Sequence, residues 1–161
     1  VGKPLAEIEE AQRDALMDVN LKAVFVCMKH EIRAMLKQGA GAIVNVSSIY
    51  GLQASDLGHA PYSAAKHGVV ALTGTAAIDY AGAGLRINAV APGFTRSEMV
   101  NPDRPGAAAR YEKLVRQHTA VARLGQADEV AKAIVFLCSD AASFITGETL
   151  RIDGGNGGKL Y

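Results

Sequence analysis

The sequence has no strong excess of charge of either sign. Its 17 Lys and Arg residues nearly balance its 16 Asp and Glu residues, which leaves a formal net charge of +1. Binding to nucleic acid or to an anionic membrane relies on a basic surface, so this balance gives no electrostatic case for either partner. No apolar run approaches the roughly eighteen residues that a membrane-spanning helix needs. With 161 residues, half of them apolar, the chain has the composition of one soluble globular domain.

Cysteine is scarce, and histidine is not clustered. Cys27 and Cys138 both lie in apolar runs with helical periodicity and are far apart in the chain. We therefore expect buried free thiols rather than a disulfide, which fits a reducing, cytoplasmic setting. The four histidines do not have the spacing of metal ligands, so no metal site is predicted.

A glycine-rich dinucleotide fingerprint is also missing. The one glycine cluster, at residues 154–158, follows a predicted strand, but no helix comes after it. A pyrophosphate site of that kind needs strand, glycine turn and helix N-terminus together, because the backbone amides and the helix dipole act jointly on the phosphates. The cluster is therefore predicted to be a C-terminal turn.

Hydrophobic periodicity predicts alternating helices and strands. The predicted helices cover residues 5–18, 19–37, 62–81, 107–118 and 127–138. The predicted strands cover residues 42–46, 85–90 and 149–153, and the first of them is a continuous apolar run typical of parallel sheets. Residues 23–28 are apolar on all sides of their helix and are expected to be covered on both sides. Gly68 and Gly74, inside one helix, suggest a close approach by another backbone.

The most informative stretch runs from Ser47 to Lys66. A serine pair ends the apolar strand, Tyr62 comes fourteen residues after Ser48, and Lys66 follows four residues later, on the same face of a helix that Pro61 would begin. A nearby ammonium favours the phenolate form of a tyrosine, and a serine hydroxyl could hold the same substrate oxygen. Together they would make a general acid/base for interconverting an alcohol and a ketone. Tyr and Lys alone at this spacing would also suit an amphipathic helix with a solvated lysine.

Three segments together carry a resemblance to a known family. They are Asn-Val-Ser-Ser at residues 45–48, Tyr-Ser-Ala-Ala-Lys at residues 62–66 and Arg-Ile-Asn-Ala-Val-Ala-Pro-Gly at residues 86–93, and Asp-Val-Asn-Leu at residues 18–21 adds to them. With these segments in this order, the chain resembles the short-chain dehydrogenase/reductase family. The loop between Ser48 and Tyr62 is slightly longer than is usual there. The resemblance implies a Rossmann-like, doubly wound α/β fold.

The resemblance assigns roles to four residues. It implies that Tyr62 is the acid/base, that Lys66 assists Tyr62 and holds the nicotinamide ribose, and that Ser48 positions the substrate oxygen. It implies that Asn20 anchors a water leading from the lysine to solvent, although Asn also suits a helix boundary. A secondary alcohol or ketone would be the substrate.

The resemblance further implies a nicotinamide loop, a substrate lid and subunit contacts. Pro92, Gly93, Thr95 and Ser97 would hold the carboxamide of NAD or NADP, although the two hydroxyls could simply cap the next helix. Residues 101–121 would form a lid, with Met99, Tyr111 and Leu114 facing substrate or merely packed. His59 could touch substrate or be an exposed loop residue. The helices at residues 19–37 and 62–81 would pair between subunits of a homo-oligomer, a dimer or tetramer.

The resemblance also implies that residues 1–161 are one incomplete domain. A full member of the family has roughly a hundred more residues at its front, which carry the glycine-rich turn and the residue that selects NAD or NADP. We therefore expect the strand at residues 42–46 to pair with residues 85–90 on one side and to be unpaired on the other. The activity expected is that of an NAD(P)-dependent oxidoreductase. The alternative is a truncated, non-catalytic fragment that acts only in subunit association.

Overall fold

The computed structural model describes residues 2–156. Five α-helices and three strands follow one another in this part of the chain. The helices are α1 (Glu10–Met17), α2 (Ala23–Gln38), α3 (Ala60–Tyr80), α4 (Ala107–His118) and α5 (Ala127–Cys138), and the strands are β1 (Gly41–Val46), β2 (Leu85–Pro92) and β3 (Thr149–Ile152). From residue 41 onward every predicted element is present, with its ends shifted by two residues at most.

The two N-terminal helices differ from the prediction because they form one continuous helical rod. A π-helical segment, Asp18–Lys22, joins α1 to α2, and Asp18 itself has helical dihedral angles of φ −60° and ψ −45°. The predicted break between residues 18 and 19 is therefore wrong. The polar residues there suggested a boundary, but no capping hydrogen bond forms and the backbone stays helical. The rod ends at Gly39, whose φ of 76° suits glycine.

The three strands form a parallel sheet in the order β1-β2-β3. Residues 41–46 of β1 pair in register with residues 85–90 of β2, and β3 pairs with the other side of β2. Within residues 2–156, no strand pairs with the outer side of β1. This arrangement confirms the expected pairing on one side only.

Helices cover both faces of this sheet. On one face, Ile43, Leu85 and Ile87 pack with residues of α2 and α3. On the opposite face, Val44 and Val90 pack with residues of α5. Side chains of a strand alternate between the two faces, so neighbouring residues of one apolar strand serve both clusters. The layering of helix, parallel sheet and helix agrees with the predicted doubly wound α/β fold.

The surfaces of the helical rod and of the end of α5 are more open than expected. Both cysteines are free, but they are exposed rather than buried, which corrects the sequence-based expectation. Phe25 is 50% exposed and Val26 is 44% exposed, so the apolar stretch at residues 23–28 is not covered on both sides by the described chain. An apolar sequence is compatible with burial, but the neighbouring elements decide whether each residue is buried.

The glycines of α3 make no close backbone contact within the described chain, so the expected approach of another backbone stays a prediction for the contact between subunits. A Cβ atom at Gly68 would lie 2.8 Å from the Leu21 side chain, and one at Gly74 would meet nothing within 4 Å. No other backbone of the described chain therefore approaches either residue closely. Among the described residues, no helix has both the length and the apolar character needed to cross a membrane.

Candidate active site

The serine pair is held where β1 ends. The Ser47 N–H donates to the Val90 carbonyl at 2.8 Å, and the Ser47 hydroxyl donates to the Lys66 carbonyl at 2.9 Å. Gly51 permits this close contact, because a Cβ atom there would lie 2.3 Å from the Ser47 hydroxyl oxygen and 2.7 Å from the Lys66 oxygen. The Ser48 hydroxyl accepts a hydrogen bond from the Tyr50 N–H and begins a short 3-10 turn. Ser47 thus joins the strand to α3, and Ser48 is left to face the cavity beside it.

Tyr62 and Lys66 lie one turn apart at the start of α3. Pro61 occupies the first turn of this helix, as predicted, and is compatible with it because no intrahelical partner needs its missing N–H. The Lys66 ammonium donates to the Val46 carbonyl at 3.0 Å and lies 5.6 Å from the centre of the Tyr62 ring. Burial lowers the pKa of Lys66. The lysine is thus a largely desolvated cation held beside the tyrosine ring and the end of β1.

A cavity of about 480 Å³ opens at this end of the sheet. Its walls come from the helical rod, from the loops after β1 and β2, and from the start of α3. They are formed by Leu16, Asn20, Ser48, Ile49, Tyr50, Leu57, His59, Tyr62, Pro92, Gly93, Phe94, Thr95, Met99 and Val100. Most of these side chains are apolar or aromatic, which is usual for a small-molecule site. The position also fits, because ligands of parallel α/β sheets bind beyond the carboxyl ends of the strands.

Most of the predicted site residues meet at this cavity. Six of the eight line it, namely Asn20, Ser48, Tyr62, Pro92, Gly93 and Thr95, and Lys66 lies directly behind Tyr62. Ser97 does not reach the cavity. It is exposed, and its hydroxyl accepts a hydrogen bond from the Val100 N–H within a turn. The alternative that Thr95 and Ser97 cap the next helix does not apply, because α4 begins only at Ala107.

Asn20 lies inside the π-helical segment rather than at a helix end. Its side-chain amide donates to the Leu16 carbonyl at 3.1 Å. Single π-helical turns inside α-helices occur often at functional sites, because they displace a residue from the regular helical surface. Here the distorted turn contributes Asn20 to the cavity wall, next to Leu16 from the end of α1. A boundary role for Asn20 is therefore wrong, whereas its proposed water-binding role stays a prediction.

The predicted lid segment contributes less to the cavity than the sequence indicated. Met99 lines the cavity, but neither Tyr111 nor Leu114 does, and the Tyr111 hydroxyl donates to the Met99 carbonyl. The end of α4 contacts the site through His118. Its ring lies 5.9 Å from that of Phe94, and its Nε2 atom lies 3.6 Å from the Asp56 carboxylate.

Some cavity residues had no signal in the sequence. Tyr50 and Phe94 are aromatic residues between the main helices and strands, where no periodicity identifies a buried position. The centres of their rings nevertheless lie 6.4 Å apart. Tyr50 also contacts His59 at 6.3 Å. Only the meeting of the two loops brings these rings together. Their positions after the serine pair and after Pro-Gly could have marked them as neighbours of the site.

Known proteins with similar sequences include reductases and dehydrogenases. The γ-butyrolactone 1'-reductase of A-factor type (1S-forming) from Streptomyces virginiae is 45% identical over 159 residues. The cis-4-hydroxycyclohexanecarboxylate dehydrogenase from Sinomonas cyclohexanicum is 43% identical over 152 residues. Each alignment covers 94% of this chain and 59% of the relative. The chain thus spans about three fifths of the length of the curated relatives that it matches.

Solved structures show the same fold. The structure described as ElxO with NADP bound superposes with a TM-score of 0.91 at 34% identity, covering 99% of this chain and 64% of that one. A mutant of 4-hydroxyisoleucine dehydrogenase, complexed with NADH and succinate, superposes with a TM-score of 0.90 at 27% identity, covering 99% of this chain and 65% of that one. Both comparisons confirm the predicted Rossmann-like fold, of which this chain supplies the larger part.

The family itself is shown by a match along nearly the whole chain. Residues 1–156 match the family model described as enoyl-(acyl carrier protein) reductase. The sequence motifs, the parallel sheet and the position of the cavity agree with this match. The chain belongs to the short-chain dehydrogenase/reductase family.

Proposed function

We propose that the protein containing this chain is an NAD(P)-dependent oxidoreductase that interconverts a secondary alcohol and a ketone. One observation carries the proposal, namely that Ser48 and Tyr62 line one cavity while the Lys66 ammonium lies 5.6 Å from the Tyr62 ring. A hydroxyl, a phenol and a desolvated cation at one end of a parallel sheet are the groups that proton transfer to a carbonyl oxygen needs.

Each of these residues has a distinct role in the proposed reaction. In the oxidation direction, Tyr62 accepts the hydroxyl proton of the alcohol as its C–H bond breaks, and in reduction it returns a proton to the carbonyl oxygen. Ser48 donates a hydrogen bond to the same substrate oxygen, since its hydroxyl only accepts within the described chain. Lys66 stabilises the ionised form of the phenol because a positive charge lies close to it. Asn20 would hold the water through which the proton reaches solvent.

The loop after β2 is the proposed nicotinamide site. Pro92, Gly93 and Thr95 line the same cavity as Tyr62. Their carbonyl and hydroxyl groups suit a carboxamide, although the Thr95 hydroxyl now donates to the Gly93 carbonyl at 3.2 Å. When bound there, NAD or NADP takes up or supplies the hydride. The similar structures were solved with NADP or NADH bound, which supports the choice of cofactor.

The proposed substrates are cyclic secondary alcohols and ketones of modest size. A cavity of about 480 Å³ with mainly apolar walls suits a ring-sized apolar body with few polar groups. The names of both relatives contain a cyclic compound, a γ-butyrolactone in one and a hydroxycyclohexanecarboxylate in the other.

The proposal is tested with substitutions in the full-length protein. Tyr62→Phe keeps the ring and removes only the hydroxyl, so cyclohexanol oxidation should fall by about 10²–10⁴-fold with the fold unchanged. Lys66→Met should weaken NAD(P)H binding and shift half-maximal oxidation to higher pH. Retention of more than a tenth of the wild-type rate by Tyr62→Phe would rule out Tyr62 as the acid/base.

A second candidate function, subunit association without catalysis, is favoured by one surface. An exposed apolar groove runs between the helical rod and α3 and includes Met17, Leu21, Phe25, Ala71 and Leu72. We propose that this groove is the contact between subunits of a homo-oligomer. Phe25→Glu should then lower the oligomeric state measured by light scattering, whereas Lys113→Glu on the exposed side of α4 should not. NAD(P)H binding by the full-length protein separates an active enzyme from a purely associating one.

A further inference from the structure

His59 lies beside Tyr62 in the candidate active site. It immediately precedes α3 and is half-buried in the cavity wall. Its ring lies 6.3 Å from the centre of the Tyr62 ring at an interplanar angle of 76°, and 6.3 Å from the Tyr50 ring at 82°. Two edge-on aromatic contacts thus fix the imidazole in position next to the proposed acid/base.

The hydrogen-bonding capacity of this imidazole is unused. Among residues 2–156, no side chain or backbone group forms a hydrogen bond or ion pair with the His59 ring. Burial lowers the pKa of His59, so the ring is neutral near pH 7. A neutral imidazole has one N–H donor and one nitrogen acceptor. His59 can therefore both give a hydrogen bond to a cavity ligand and receive one.

The other polar groups around the cavity are largely occupied. The Asn20 amide donates to the Leu16 carbonyl, and the Thr95 hydroxyl donates to the Gly93 carbonyl. Ser55 interacts with the Tyr50 hydroxyl. Ser48 and Tyr62 are reserved for the reacting oxygen in the proposed function. Apart from Tyr62, His59 is the polar side chain of the cavity wall that forms no hydrogen bond within residues 2–156, so it is free to pair with a second part of the substrate.

We propose that His59 is a specificity-determining residue that binds a second oxygen function of the substrate, a hydroxyl or carbonyl on the same ring as the reacting carbon. This inference rests on the proposed function. A polar group fixed in an apolar wall discriminates in favour of a ligand that pairs with it, because a ligand lacking the partner leaves the polar group desolvated and unpaired. The substrate class is therefore a cyclic diol or hydroxyketone rather than a cyclic alcohol with a single oxygen.

The experiment compares two substrate types on the full-length enzyme. The kcat/KM values of wild type, His59→Phe and His59→Gln are measured with cyclohexanol and with the 1,2-, 1,3- and 1,4-cyclohexanediols. Phenylalanine keeps the ring contacts and removes the hydrogen bonds, whereas glutamine keeps a donor and an acceptor. Wild type should prefer at least one diol over cyclohexanol, and His59→Phe should lower kcat/KM for that diol by about tenfold, mainly through KM. The same variant should lower kcat/KM for cyclohexanol much less than for that diol, so that the diol preference falls. His59→Gln should restore part of this preference.

The outcomes separate the two proposals. Equal loss on cyclohexanol and on the diols would show that His59 only supports the fold of the site, and it would overturn this inference while leaving the proposed function intact. A wild-type enzyme without preference for any diol would also overturn this inference and leave the proposed function intact. A wild-type enzyme that oxidises none of these alcohols, or a Tyr62→Phe variant as active as wild type, would overturn the proposed function and this inference with it.

Discussion

The neighbouring strands β1 and β2 have similar sequences but different surroundings. β1 is an apolar run interrupted by Asn45, and β2 is one interrupted by Arg86 and Asn88. The two strands pair in register from Gly41 and Leu85 onward. Val46 and Val90 are register partners, yet Val46 is 47% exposed whereas Val90 is fully buried. Strand β2 has a neighbour on each side, and β1 has one on a single side among the described residues.

The composition of β1 is that of a strand with a neighbour on each side, but the described chain leaves one side of β1 open. An open apolar edge offers unpaired backbone groups to other chains, and proteins usually protect such edges with charge or proline. β1 has neither. The curated relatives are longer than this chain, so we expect further residues of the full-length protein to cover the outer side of β1.

The largest expected effect concerns residues 1–161 produced alone. Because β1 would remain open, this chain should aggregate or stay partly unfolded. It should not bind NADH measurably, because residues 1–161 contain no glycine-rich fingerprint to hold the pyrophosphate. Light scattering, thermal melting and NADH fluorescence titration provide the measurements. A cooperatively melting chain that binds NADH at micromolar concentration would show that β1 needs no further partner.

A valine pair tests the comparison at single residues. In the full-length protein, Val90→Ala should lower the free energy of unfolding by about 2–3 kcal/mol, because a fully buried side chain is truncated. If further residues cover β1, Val46→Ala should cost nearly as much in urea unfolding. A cost for Val46→Ala below about half that of Val90→Ala would mean that the exposure of Val46 persists in the whole protein.

A glycine pair tests how tightly the site end of β1 is packed. Gly51→Ala should destabilise the full-length protein by about 1–3 kcal/mol and lower activity, because its Cβ atom would collide with Ser47 and Lys66. Gly74→Ala is the control, since alanine there meets nothing within 4 Å and favours the helix by about 1 kcal/mol at most. Thermal denaturation of both variants gives the answer. Equal stability of the two variants would argue against close packing at Gly51.

The smallest expected effect is a pH dependence arising from His59. Burial lowers the pKa of His59 in the folded protein, so the unfolded state binds more protons between that lowered value and the ordinary value of about 6.5. The free energy of unfolding should therefore rise with pH through this window and fall on acidification. His59→Gln should remove this contribution to the slope in urea titrations at several pH values. If the free energy of unfolding has the same slope against pH in wild type and variant, His59 makes no such contribution.

The sequence by itself determined the elements and the central motif. The periodic apolar residues of α4, α5 and the strands act locally, so their boundaries could be predicted within two residues. Ser48, Tyr62 and Lys66 were found because their spacing along one strand end and one helix already places them close together. The family followed from several such segments in the same order.

Only the tertiary structure decided what covers each surface and which loops meet. Cys27 and Phe25 are apolar residues in a helical pattern, but they are exposed because no described element packs on them. Ser97 resembles a cofactor ligand in sequence, yet a local turn engages its hydroxyl away from the cavity. His59 contacts Tyr62 and Tyr50 through ring contacts that depend on the path of a loop. Such contacts depend on how distant segments of the chain fold together, so they cannot be predicted from the local spacing of residues in the sequence.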